Sequence, residues 1–140
     1  MWLPRFIAKV RHHFAGTLAA DYQRAFCNPL GIDGVFFTHF ALKKEDVLEV
    51  IRREPSDAAV AAWFSGRPES NPEKVRAWNE LAPRIGEPGF PGQRVFQWGM
   101  KHIYLGCTDP RVTTGFSAIA WDEDFLDEVV PQREPTYAAQ

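Results

Sequence analysis

Between Lys43 and Pro83 the sequence marks the ends of three consecutive helices, and any fold of this chain has to accommodate them. The first has Glu45 and Asp46 in its opening turn, Val47, Leu48, Val50 and Ile51 on its apolar side, and Arg52 and Arg53 in its last turn. Acid thus meets the positive end of the helix dipole and base the negative end. Leu42 is placed to staple onto Val47, and Pro55 ends the run. Ser56 is an N-cap residue for a short helix carrying Val60, Trp63 and Phe64, with Gly66 beyond it. Asn71-Pro72-Glu73 repeats the logic of cap, first-turn proline and first-turn acid, ahead of Val75, Trp78 and Leu81, and Pro83 limits that helix.

Upstream, Leu3, Phe6, Ile7, Val10 and Phe14 form one face of a first helix, with His13 at the edge of the stripe and Gly16 as its stop. Residues 15–40 show no clean helical period but are dense in Gly, Asp and aromatic residues, and read as a long ordered loop. Gly86 to Gly92 is a turn-rich connector. Val95, Phe96, Met100, Ile103 and Tyr104 keep helical spacing, yet the same residue types suit strands, so residues 93–121 stay open between the two. Gly106 to Gly115 reads as loop. Phe125, Leu126, Val129 and Val130 suggest a last short helix, with Asp122, Glu123 and Asp124 at its positive end.

The expectation is a mainly α fold: a compact single-domain bundle of about five to six short helices over residues 1–130, followed by a flexible tail over residues 131–140. Phe6, Val10, Trp63 and Trp78 should share its core.

Charge and cysteine content narrow the classes. A net charge of -2 gives no electrostatic reason to expect nucleic acid as a partner. No apolar run approaches the roughly 18 residues of a membrane span, and Arg5, Lys9 and Arg11 interrupt the apolar N-terminus, so no membrane and a cytoplasmic location are expected. Cys27 and Cys107 lack metal-ligand or redox spacing and read as two reduced thiols. His12 and His13 point apart on a helix, and His102 with Cys107 is not a ligand pattern, so neither a metal nor a cofactor is expected. No phosphate-binding glycine loop or nucleophile elbow occurs.

Three ordered stretches carry a resemblance. They are Leu3-Pro4-Arg5-Phe6-Ile7-Ala8-Lys9-Val10-Arg11 with Ala15-Gly16-Thr17-Leu18, then Gly31-Ile32-Asp33-Gly34-Val35-Phe36-Phe37, and then Ser56-Asp57 through Trp63 with Pro72-Glu73 and Ala77-Trp78-Asn79. Together they resemble the small bacterial domain-of-unknown-function family 5069 over residues 3–85, fading after that. The resemblance implies a largely helical domain and no activity. Ala8 departs from it, standing where the family pattern has an acid.

His13, Tyr22, Asp33 and His39 are the candidate catalytic residues, because a His with a carboxylate and a Tyr can move protons near neutral pH. The competing reading makes Asp33 turn chemistry, Tyr22 a packed ring and the histidines surface groups. Cys27 as a nucleophile is set against a packed thiol in a turn. The first expected function is therefore a small-molecule site, an acid–base enzyme in its sharpest form, between the first helix and the 15–40 loop. The alternative is a non-catalytic protein-interaction or dimerisation module. Its charge layout fits a homodimer: the first helix carries only basic charges and Asp122 to Glu128 only acidic ones, to be paired within a chain or between two chains.

Overall fold

The computed structural model describes residues 2–130; Met1 and residues 131–140, where the flexible tail was expected, lie outside the described residues. Among the described residues there are nine α-helices and no strand: α1 (Trp2–Phe14), α2 (Ala20–Ala25), α3 (Ile32–His39), α4 (Lys44–Arg53), α5 (Asp57–Ser65), α6 (Pro72–Leu81), α7 (Gln93–His102), α8 (Gly115–Asp122) and α9 (Leu126–Val129). None is long and apolar enough to cross a membrane. The chain divides into two units, Met1–Pro83 and Arg84–Gln140.

In the first unit the marked helix ends form as the residues dictate. The Ser56 side chain accepts from the Ala59 N–H, and the Asn71 side chain from the Lys74 N–H. Leu42 and Val47 are both buried at the start of α4. Gly16 ends α1 at φ +70, a conformation open to glycine. Helix α1 packs against α4 and α5, and α3 packs against α6.

The long loop expected over residues 15–40 is instead two helices, α2 and α3. Helix α3 escaped detection because it has no polar face to set a period. Asp33, Gly34, Phe36 and Phe37 are all buried, and the element is covered on most sides. Phe36 is the hub of the core: its ring lies 5.2 Å from Phe40, 5.1 Å from Trp78 and 5.8 Å from Phe64, while Phe37 meets Phe6 edge-on at 5.2 Å. Burying each such ring contributes roughly 1.5–3 kcal/mol. Phe6, Val10 and Trp78 belong to this core, but Trp63 does not. It is half-buried beneath the Arg67 guanidinium at 5.4 Å, and its neighbour Phe64 takes the inward position.

Gly34 sits inside α3 for a steric reason. A Cβ there would lie 2.2 Å from the Pro29 carbonyl oxygen and 2.5 Å from the Pro29 Cα. The preceding turn is pressed against the helix: the Asn28 carbonyl accepts from the N–H groups of Gly31 (3.0 Å) and Gly34 (3.1 Å), and the Asn28 side chain accepts from Leu30 N–H. Cys27 opens this turn at φ 53, a left-handed conformation uncommon for a residue with a side chain.

The second unit is built on Val112, Ala118, Ala120 and Leu126, with Phe96, Met100 and Tyr104 packed around them. The open choice over residues 93–121 resolves as two helices, α7 and α8, joined by the loop that includes Gly106. Helix α8, whose residues up to 121 fall in that open stretch, is closed at its N-terminus by a reciprocal Thr114–Ser117 capping box. Its Ala118 and Ala120 are fully buried, so it too lacks an amphipathic signature.

Candidate functional site

Asp33 occupies the second position of α3, in the turn where a carboxylate suits the helix dipole, and is 1% exposed. Its Oδ1 accepts from the Trp2 indole N–H (3.1 Å) and from Lys9 Nζ (2.8 Å). Its Oδ2 accepts from Lys9 Nζ (2.7 Å) and from the Cys27 backbone N–H (3.0 Å). An ionised carboxylate offers about four lone-pair sites, and protein donors fill them here. The Lys9 side chain is 11% exposed, with its ammonium over the Trp2 ring at 4.9 Å and the Phe6 ring at 5.8 Å. Charge, aromatic faces and a backbone N–H thus converge where α1, α3 and the Cys27 turn meet.

The other expected site residues lie in different surroundings. His13 is exposed at the end of α1 and stacks on Phe26 at 4.5 Å, with Phe14 at 5.8 Å. Tyr22 is half-buried on α2. His39 ends α3, where Nε2 lies 2.7 Å from the Lys74 carbonyl and the ring packs 4.6 Å from Phe40 and 5.5 Å from Trp78. Six residues of helix, about 9 Å of rise, separate His39 from Asp33 along α3. Lys9 and Trp2, which do reach Asp33, were not among the sequence candidates. A usable signal was present: Trp2, Phe6 and Lys9 stand at i, i+4 and i+7, which places a cation beside the apolar stripe, and Asp33 is embedded in an apolar run.

Both cysteines are free. Burial, followed by the negative charge of Asp33, pushes the Cys27 thiol up to about 11 from an ordinary 9.0. Cys27 is therefore protonated near neutrality. At pH 8 it holds roughly a hundredfold less thiolate than an unperturbed thiol, and burial restricts access further. A disulfide reagent such as 5,5′-dithiobis(2-nitrobenzoate) is expected to label Cys107 in the native protein long before Cys27. Equal labelling rates in Cys27→Ala and Cys107→Ala variants would contradict this.

The second unit carries two features of another kind. Helix α7 turns Phe96 and Met100 toward its own core and leaves Arg94, Trp98, Lys101 and His102 exposed. Trp98 is 47% exposed, and beyond the helix end Ile103 (37%) and Leu105 (71%) are exposed too. The His102 ring lies 5.0 Å from Trp98, and no carboxylate occurs on α7.

Nearby in the chain, an open cleft of about 340 Å³ is lined by Asp109, Arg111, Trp121, Asp122, Asp124, Leu126 and Asp127. Arg111 grips Asp109 through Nε (3.0 Å) and Nη2 (2.7 Å), and reaches Asp127 (2.6 Å) and the Val130 carbonyl (2.9 Å) through Nη1. The fork geometry holds the Asp109 carboxyl below its ordinary range and the guanidinium above its own. Among the described residues no three His, Cys, Asp or Glu side chains gather into a group able to hold a metal ion.

The family described as "Domain of unknown function (DUF5069)" matches residues 1–135. The match runs well past residue 85, where the sequence motifs fade, and takes in α7, α8 and α9. No curated protein and no solved structure matches this chain.

Proposed function

The chain belongs to the DUF5069 family, and from that premise we propose that its work is binding rather than catalysis, with the exposed face of α7 and the turn after it as the interaction surface. The observation that carries this reading is the exposure of Trp98 on a helix whose opposite side supplies core, with Ile103 and Leu105 exposed in the turn that follows. Large aromatic and aliphatic side chains at one place supply most of the energy at protein interfaces.

The chemistry of the first unit supports the same choice. An acid–base or small-molecule site between α1 and residues 15–40 would need an acceptor on Asp33, yet Trp2, Lys9 and Cys27 fill its lone pairs. A nucleophilic role for Cys27 would need a thiolate, which burial opposes. Asp33 then serves as a staple between α1 and α3.

A photo-crosslinking residue, p-benzoylphenylalanine, placed at Trp98 in expressing cells tests the reading. Irradiation should give a discrete adduct absent when the same residue replaces Glu73, an exposed position on α6. No adduct, or the same products from both positions, would overturn it.

A further inference from the structure

We infer that the occupant of the α7 face is a second copy of this chain, which presents to it the acidic stretch of residues 122–128; this rests on the interaction reading above. Helix α7 bears Arg94, Lys101 and His102 around Trp98 and has no acid of its own. Residues 122–128 have the opposite character: Asp122, Asp124, Asp127 and Glu128 are exposed, and the 50% exposed Val129 stands beside them. Arg111 neutralises only part of that charge, since it is already engaged by Asp109 and Asp127.

Both surfaces belong to the same unit, so every copy carries a cationic apolar face and an anionic partner for it. A two-fold dimer satisfies both at once, each copy's α7 meeting the other's acidic stretch, and closes without growing into a filament. Two α7 faces stacked on each other would instead set like charges together. Exposed ion pairs add little energy singly. Here they orient the approach and reject the wrong docking, while Trp98 and Leu105 supply the buried apolar area.

Sedimentation velocity of the purified full chain, at about 100 µM and low salt, is expected to give a species of twice 15.9 kDa, since weak specific contacts have micromolar Kd values. The pair R94E/K101E should be monomeric alone, because both of its surfaces are then acidic. D122K/E123K/E128K should be monomeric alone because both are basic, three lysines then outnumbering Asp124 and Asp127 in the stretch. Mixed one to one, the two variants should restore the dimer, since every contact is again between opposite charges. Monomeric wild-type protein, dimers of either variant alone, or a mixture that stays monomeric would each overturn the inference. Should charge reversal disturb folding, judged by circular dichroism, L105E at the 71% exposed position replaces both variants, and a dimer that survives it overturns the inference. A monomer in solution together with a Trp98 crosslink to a protein of another mass removes the second copy and leaves the interaction reading standing; loss of the crosslink as well removes both.

Discussion

Gly34→Ala should destabilise the first unit by about 3 kcal/mol or more, the upper range of overpacking, or prevent it from folding. In an ordinary helix interior the same change adds about 1 kcal/mol of stability, so the prediction is one of sign as well as size. The atoms that a Cβ would strike, at 2.2 to 2.5 Å, are the backbone O, C and Cα of Pro29. A flexible side chain could swing away; this backbone cannot. It is fixed by the proline ring, by two hydrogen bonds into the Asn28 carbonyl and by the left-handed turn at Cys27. Moving it would also pull the Cys27 N–H from Asp33. Urea unfolding followed by circular dichroism measures the change, and an unchanged or raised midpoint would show that the turn does not press on α3.

Asp33→Asn is expected to cost about 3–5 kcal/mol, the range for breaking a buried ion pair by removing one partner. Asparagine keeps the volume but presents an amide where the Lys9 ammonium and the Cys27 N–H need acceptors. Lys9, 11% exposed, is left with aromatic faces as its main compensation. Because the penalty lies largely in the stranded charge, Lys9→Met should cost much less in the Asp33→Asn background than in the wild type. A double-mutant cycle reads that coupling. A loss under about 0.5 kcal/mol for Asp33→Asn, the surface range, would show that the pair is not buried in solution.

What the sequence disclosed depended on whether an element has two unlike faces or a marked end. Helices α1, α4 and α6 show an apolar stripe, and α5 shows its Ser56 cap, so all four were legible from residues alone. Helices α3 and α8 show neither stripe nor period, because their surroundings cover them nearly all round. Thr114 could have betrayed α8 by its capping chemistry, but nothing local marks the start of α3, whose cap is Gly31 with no side chain to bond. Asp33 stood out from the residues as a carboxylate that could work beside a His and a Tyr, with turn chemistry next to glycine as the other reading. Its partner was not legible, since Lys9 lies 24 residues away and meets Asp33 only when α1 and α3 pack. Trp63 and Phe64 illustrate a finer limit. Adjacent aromatics on a helix differ by about 100° in direction, and pattern alone did not decide which one faces the core.

The dependence of α1 on later residues bears on how the chain is made. Its apolar stripe, Phe6, Ile7 and Val10, is covered by α3, α4 and α5, and the acceptor for Trp2 and Lys9 is Asp33. Every one of those partners is synthesised after α1 itself. At ribosomal rates of roughly 5–20 residues per second, the interval from Phe14 to Ser65 lasts roughly 3–10 s. Until α3, α4 and α5 have followed in turn, the stripe is covered only in part. Arg5, Lys9 and Arg11, interleaved with the apolar residues, give the nascent helix repeated positive charge, a gatekeeping arrangement that discourages two such segments on neighbouring ribosomes from joining before their own partners arrive.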